Sequence, residues 1–282
     1  MDTPVPVMLM LYSLIDGGTE RQVTELAKWL DRSEFAPHVA AFHFEQPLLG
    51  ELQAAGVPTL SLPMTSFLSG SFARSLLIFR DYLRRQSIRI VHTFDPTSAI
   101  FVGAASRCMR IPCFLSSQRA YRSLTFPRYR PLLRISDRLV DGIIVNCEAI
   151  RRHLIEDEHV PDSRIHVCYN AIDTERFHPI QSHRNDDGPV IGTACVFREE
   201  KDLGCLLRAF AAIRTDYPQA SLLMIGDGPE RTKLVKLSEE LGLDGRCCFL
   251  PFQANVENYL PEIDIFVLPS LFAWAAIAHQ QR

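Results

Sequence analysis

At 282 residues, with 47% hydrophobic and 22% charged side chains, the chain has the composition of a soluble globular protein of about two domains. A formal net charge of −3 and a pI near 6.3 exclude a general polyanion binder, so nucleic acid is not an expected partner. The N-terminal apolar run from Val5 to Ile15 is too short to span a bilayer and has no basic segment before it, so it predicts a first core strand rather than a signal peptide.

Strand-like and helix-like segments alternate from that point. Val5–Tyr12 is a continuous apolar run, and Gly18–Leu30 carries Val23, Leu26, Ala27 and Leu30 on one helical face. Short strands are predicted at His38–Phe42, Thr59–Leu62, Ile88–His92, Cys113–Ser116, Gly142–Asn146 and Ile165–Tyr169, with helical patterns at Phe72–Arg85, Pro96–Met109 and Glu148–Glu156 between them. Strands separated by helices of this length imply right-handed crossovers and a parallel sheet covered on both faces. The first doubly wound domain is therefore predicted over residues 1–178, followed by a polar linker over 179–189.

The alternation restarts in a second domain, residues 190–282. Strand Val190–Val196, helix Asp202–Arg214, strand Ser221–Gly226, helix Glu230–Leu241 and strand Arg246–Leu250 are followed by a short helix near Val256–Leu260. The last strand, Ile263–Leu268, reads as buried and parallel and ends in the Pro269–Ser270 turn. The fold class is α/β, with two tandem Rossmann-like domains of which the second is expected to be incomplete. Ligands in open α/β sheets bind at the carboxyl ends of strands, yet only twelve residues follow Ser270, without the pattern of a site-forming loop and helix.

The eight cysteines, at 108, 113, 147, 168, 195, 205, 247 and 248, form no Cys-x-x-Cys pair. Five of them lie in strand-like apolar runs, where cysteine acts as a small buried hydrophobe, and the pattern indicates a reducing cytoplasm.

Four segments carry candidate chemistry. Asp16-Gly17-Gly18-Thr19-Glu20 opens the first helix; its glycines let backbone approach a ligand and its free N–H groups attract anions, although a plain tight turn fits as well. Arg198 and Lys201 flank Glu199 and Glu200 at the end of a strand, where cations oppose the helix dipole. They suit either a bound diphosphate or local ion pairs. Gly226-Asp227-Gly228-Pro229 follows a strand but lacks the third glycine of a dinucleotide fingerprint, so a turn with an acidic helix start is the better reading. The stretch Gln118–Arg138 holds six arginines against Asp137, interleaved with Tyr121, Phe126 and Tyr129. That composition suits an anionic membrane surface, an anionic acceptor, single-stranded nucleic acid or a solvated arginine-rich helix.

No Asp-x-Asp, His-Glu-x-x-His, Gly-x-x-x-x-Gly-Lys-[Ser/Thr] or Gly-x-Ser-x-Gly occurs, so no metal site is expected. His92 ends the fourth strand and is expected to be packed or capped rather than catalytic.

Together these segments resemble the large retaining glycosyltransferase family with the GT-B fold, often called family 4. Gly17-Gly18-Thr19-Glu20-Arg21 is similar to that family's N-terminal Gly-Gly-x-Glu-Arg loop, and Asn170-Ala171-Ile172-Asp173 with Phe177-His178-Pro179 resembles its junction between domains, Ala171 standing where glycine is usual. Arg198 to Lys201 with Leu206-Leu207-Arg208-Ala209-Phe210, then Gly226 to Pro229, then Asp264 to Ser270, follow in the family's order.

The resemblance implies transfer of a sugar from a nucleotide diphosphate sugar to a glycan or lipid-linked acceptor, with retention and without a metal. Gly17, Gly18, Arg198 and Lys201 would bind the donor, the two cations neutralising the departing diphosphate. Glu20, Arg119 and Arg122 are acceptor-side candidates, and the enzyme would be cytoplasmic, with peripheral contact to the inner face of an anionic membrane. Gln118 stands where the family often has histidine; it hydrogen-bonds but carries no proton at neutral pH. From Ala273 to Arg282 the family's two donor-holding glutamates are missing, so the donor domain is expected to be truncated and turnover weak or absent. The rival from another class is a non-catalytic remnant whose first domain still captures an acceptor or partner. A sugar-nucleotide epimerase and a nicotinamide dehydrogenase are disfavoured for want of the acid/base groups and of a full Gly-x-Gly-x-x-Gly.

Overall fold

The computed structural model describes residues 3–15, 17–122, 125–178, 188–253 and 255–271, without the side chains of Arg107 and Cys108. It divides into two compact units, Met1–Ala171 and Ile172–Arg282.

The first unit runs β1 (Val5–Leu14), α1 (Gly18–Trp29), β2 (Phe35–Phe44), α2 (Leu48–Ala54), β3 (Thr59–Ser61), α3 (Gly70–Arg85), β4 (Ile90–Thr93), α4 (Pro96–Met109), β5 (Cys113–Gln118), α5 (Arg130–Asp137), β6 (Gly142–Val145), α6 (Glu148–Glu156) and β7 (Ile165–Val167). The seven strands are all parallel, in the order β3-β2-β1-β4-β5-β6-β7. β1 lies in the middle with helices over both faces, which is why its run Met8–Leu11 is apolar without alternation and fully buried. Its partners are β2 on one side and β4 on the other, Val7 aligning with Ile90 and Met10 with Thr93. The winding reverses between β1 and β4, so a crevice opens there at the carboxyl ends of the strands.

The predicted face of α1 is realised in part: Val23 and Ala27 are buried against Leu9, Leu11 and Leu52, a large side chain such as Val23 contributing about 1.5–3 kcal/mol, whereas Leu26 is exposed and Leu30 half-buried. Two helices go beyond the sequence patterns. α2 is a seven-residue helix of about two turns that buries only Leu48 and Leu52, too short to show a period. α5 emerges from the arginine-rich stretch as an amphipathic helix whose Leu133 and Ser136 face inward.

The second unit contains β8 (Val190–Ala194), α7 (Leu203–Ile213), β9 (Ser221–Ile225), α8 (Arg231–Glu240), β10 (Cys247–Leu250) and β11 (Ile265–Phe266), its sheet parallel in the order β10-β9-β8-β11. α7 and α8 pack Leu206, Leu207, Phe210 and Leu234 over Leu222 and Met224. The expected last strand, Ile263–Leu268, is shorter and less buried than its apolar run suggests. Among the described residues only Ile265 and Phe266 pair, on the β8 side alone, and Ile265 is 50% exposed at that end of the sheet. The predicted short helix near Val256 is two 3-10 turns, Val256–Asn258 and Leu260–Glu262. Most of the predicted linker, residues 179–187, lies outside the described residues.

The cysteines are less buried than their apolar surroundings imply. Of the seven whose side chains are described, Cys113, Cys147, Cys195 and Cys247 are half-buried and Cys168, Cys205 and Cys248 exposed. Cys168 follows the edge strand β7 and Cys248 lies on the edge strand β10, where one side of the chain has no neighbouring strand. No helix among the described residues is long and apolar enough to cross a membrane.

Candidate functional site

A cleft of about 1020 Å³ lies in the first unit at the crevice between β1 and β4. Its floor is made by strand ends: Tyr12 and Ser13 near the carboxyl end of β1, Phe94 and Asp95 after β4, and Ser117 and Gln118 at the end of β5. Thr19 and Glu20 enter from the first turn of α1, and Arg119 from the segment after β5. Three residues singled out from sequence, Glu20, Gln118 and Arg119, are thus brought together.

Glu20 is the third residue of α1, and its carboxylate curls back over the helix start. A Cβ added at Gly17 would meet Glu20 Oε2 at 2.5 Å. Gly17 has extended backbone (φ −143°), so the site needs it for space rather than for dihedral freedom. Arg119 donates from Nη2 to Asn170 Oδ1, and burial lowers its pKa while the Glu20 charge opposes that shift. Gln118 is buried, with Nε2 donating to the Ala120 carbonyl at 2.9 Å, so its amide shapes the loop that carries Arg119.

Asp95 is a cleft-lining residue that motif reading missed. It caps α4, accepting from Ser98 N at 2.9 Å and from Ser98 Oγ at 2.9 Å, while its Oδ2 also accepts from Tyr12 N at 2.5 Å. One carboxylate therefore ties the end of β1 to the start of α4 across the crevice. Burial raises its pKa against the opposing pull of these hydrogen bonds. Asp95-Pro96 before a helix was the available signal, an N-cap followed by proline. His92 is packed, as expected: its ring lies 4.1 Å from that of Phe94, and Nε2 pairs with Ser117 Oγ at 2.8 Å. Burial, reinforced by the Arg119 charge, lowers its pKa to about 3, so it stays neutral at physiological pH.

Arg122 corrects the expectation of an acceptor-side role. It is 1% exposed and does not line the cleft. Its Nη1 lies 2.6 Å from Asp137 Oδ2 and 3.4 Å from Glu158 Oε2, and Arg134 Nε shares the same Glu158 oxygen at 2.9 Å. A buried guanidinium must be paired, and here the pairing holds α5 against the end of α6.

In the second unit, Arg198 and Lys201 bracket a 3-10 turn, Glu199–Lys201, at the carboxyl end of β8, and Asp202 in a left-handed conformation then starts α7. Arg198 is 61% exposed, and its nearest acid, Glu200, is 3.9 Å away, beyond hydrogen-bonding distance. The Gly226-Asp227-Gly228 loop is the turn expected from its sequence, and it supports the cations. Phe197 N donates to the Asp227 carbonyl at 2.8 Å and Glu230 N to the Phe197 carbonyl at 3.1 Å. A Cβ at Gly226 would lie 2.0 Å from the Cys195 carbonyl oxygen, and one at Gly228 would lie 2.5 Å from that of Phe197. The Pro269–Ser270 turn returns to the same place, with Leu271 N donating to the Glu200 carbonyl at 3.0 Å. Residues 272–282, which include the segment from Ala273 where a departure from the family was expected, lie outside the described residues.

Two doubly wound parallel domains in tandem, the first with a cleft at its switch point and the second with a cation turn, define the GT-B class of glycosyltransferase fold. The structure of Anabaena Alr3699/HepE in complex with UDP is similar, with a TM-score of 0.80 over 96% of this chain and 75% of that one, at 17% identity. The sequence model for Glycosyltransferase Family 4 matches residues 16–176, and that for Glycosyl transferases group 1 matches residues 174–279. The chain belongs to Glycosyltransferase Family 4. Among curated relatives, the lipopolysaccharide core biosynthesis glycosyltransferase LpsE of Rhizobium meliloti is 33% identical over 109 residues, 38% of this chain and 31% of the relative. An N-acetylgalactosamine-N,N'-diacetylbacillosaminyl-diphospho-undecaprenol 4-alpha-N-acetylgalactosaminyltransferase of Campylobacter jejuni is 25% identical over 134 residues, 47% of this chain and 36% of the relative. The chain spans about a third of the length of these two relatives.

Proposed function

We propose that this chain derives from an enzyme that transfers a sugar, with retention, from a nucleotide diphosphate sugar to a glycan or lipid-linked acceptor. The observation that carries the reading is the cation turn. Arg198 is exposed and short of a close acid, and it stands on a loop that two glycines lock against the end of β8. Glu200 comes no nearer than 3.9 Å to the Arg198 guanidinium, so a leaving diphosphate, which gains negative charge as the glycosidic bond to it breaks, would compete for that cation. Arg198 and Lys201 would stabilise that charge without a metal. Gly17 and Gly18 would present backbone N–H groups to the donor once the Glu20 carboxylate swings aside. The cleft with Glu20 and Arg119 would receive the acceptor, Asp95 holding the ends of β1 and β4 in register beneath it. The Anabaena structure holds UDP, and the names of the relatives concern lipopolysaccharide and a diphospho-undecaprenol acceptor, in keeping with this reading.

α5, with exposed Ile135 and Arg134 on one helix, supports peripheral contact with anionic lipid at the cytoplasmic face. Titration with UDP, GDP and ADP, with and without EDTA, tests the reading. One nucleotide should bind regardless of chelator and should weaken at least tenfold in the Arg198→Ala, Lys201→Ala double variant. Binding unaffected by that change would reject it. The second reading, an acceptor-binding protein without catalysis, is favoured by the cleft lying wholly within the first unit, and predicts acceptor binding with no transfer of labelled sugar.

A further inference from the structure

The mouth of the cleft differs in chemistry from its floor. Phe67 and Tyr129 are anchored, packed on Ala99, Ile100 and Leu133 with their rings 6.1 Å apart. Around them, Leu68 is 100% exposed, Phe126 is 68% exposed and Leu132 is 42% exposed, all three lining the same cleft. Large apolar side chains left in water beside a cleft mark a binding surface more often than chance exposure does. Among them stands one cation. The Arg128 guanidinium lies 4.9 Å from the centre of the Tyr129 ring and 5.5 Å from that of Phe126. No carboxylate of the described residues pairs with it. Contact with two rings and a long hydrogen bond from Nη2 to the Tyr129 hydroxyl at 3.4 Å hold the cation in place, and its remaining N–H groups are left for an anion.

We propose that this mouth is a subsite for a prenyl phosphate, the phosphate on Arg128 and the chain over Leu68, Phe126 and Leu132. A free glycan could stack on Phe126 but would have no use for the exposed aliphatic Leu68 and Leu132, and an uncharged lipid would have none for a guanidinium without a carboxylate partner. An anion joined directly to an apolar chain satisfies both. The proposal rests on the reading that the first unit receives the acceptor, and it narrows that acceptor to the lipid-linked kind. The sugar to be extended would then reach inward toward Glu20 and Arg119.

Equilibrium binding to the full chain tests it, with farnesyl diphosphate as probe below its micellar concentration and with inorganic diphosphate and farnesol as its separate halves. Farnesyl diphosphate should bind at least tenfold more tightly than either half. Arg128→Gln should cost about tenfold for farnesyl diphosphate and leave farnesol unchanged. Phe126→Ser with Leu132→Ser should cost a similar factor for farnesyl diphosphate and leave inorganic diphosphate unchanged. These positions are exposed, so unchanged far-ultraviolet circular dichroism is expected of each variant. Equal binding of farnesol and farnesyl diphosphate, or no loss on Arg128→Gln, overturns the proposal. So does equal binding to neutral phosphatidylcholine vesicles that the same variants abolish, since the mouth would then be a lipid-surface patch. The nucleotide titration separates this from the functional reading. Nucleotide binding without prenyl phosphate binding rejects the subsite alone, and the reverse rejects sugar transfer while leaving the subsite standing.

Discussion

The side-chain amide of Gln22 grips the backbone of Ala171 from both sides. Nε2 donates to the Ala171 carbonyl at 2.7 Å, and Ala171 N donates to Oε1 at 3.1 Å. The next residue back, Asn170, accepts from Arg119. The last two residues of the first unit are therefore held by α1, which carries Gly17, Gly18 and Glu20, and by the end of β5. Ala171 stands where the family usually has glycine, and no positive φ is found there, so the alanine is accommodated without strain.

This clamp predicts that Gln22→Glu is worse than its size suggests. The carboxylate keeps the bond from Ala171 N but faces the Ala171 carbonyl without a proton to donate. A loss of about 1 kcal/mol is expected, with Ala171 amide hydrogen exchange accelerated severalfold. Unchanged exchange would show that the clamp does not form in solution.

The pairing of Arg122 predicts a large asymmetry between two arginines on the same glutamate. Arg122→Ala leaves Asp137 and Glu158 without their buried partner and should cost about 3–5 kcal/mol in urea unfolding. Arg134→Ala removes a mostly exposed partner of Glu158 and should cost no more than about 1 kcal/mol. Equal costs would mean that Arg122 is not buried as described.

The glycine loop of the second unit predicts that Gly226→Ala and Gly228→Ala each destabilise by about 2 kcal/mol or more. Both combine a φ above 130° with backbone closer than a Cβ tolerates. Gly17→Ala meets only the flexible end of Glu20, so its melting temperature should stay within a degree or two of the parent. Thermal melts of the three variants decide this.

The neutral His92 predicts a pH dependence of known sign. Its pKa is 6.5 in an unfolded chain and about 3 when folded, so below pH 6.5 only the unfolded state takes up the proton. Stability contributed by this group is full above pH 6.5 and falls as the pH drops toward 3, by at most about 1.4 kcal/mol per pH unit. Asp95, whose pKa is raised by burial, shifts the balance the opposite way near the acid end, so the comparison needs a variant. His92→Gln, which keeps a partner for Ser117, should have a shallower acid slope than the parent between pH 6 and 4. Parallel slopes would sink the assignment.

The alternation of apolar runs with helical faces determined the architecture by itself. A parallel strand buried on both faces, like β1, has to be continuously apolar, and a covering helix has to show a period near 3.6, so the winding was legible before any contact was known. The glycines at 226 and 228 and the cations at 198 and 201 were legible as two turns at strand ends, because local spacing alone defines each. Burial and pairing were decided only in three dimensions. Arg119 and Arg122 are both arginines of one basic stretch. One reaches the cleft and the other closes an ion pair with Glu158, a residue far along the chain, and no local pattern tells them apart. Asp95 joins Tyr12 across the sheet in the same way, and the mouth of Leu68, Phe126 and Arg128 draws on two distant segments. Periodicity records which face of an element is apolar; which charged side chains meet is a property of the crossovers that bring distant segments together.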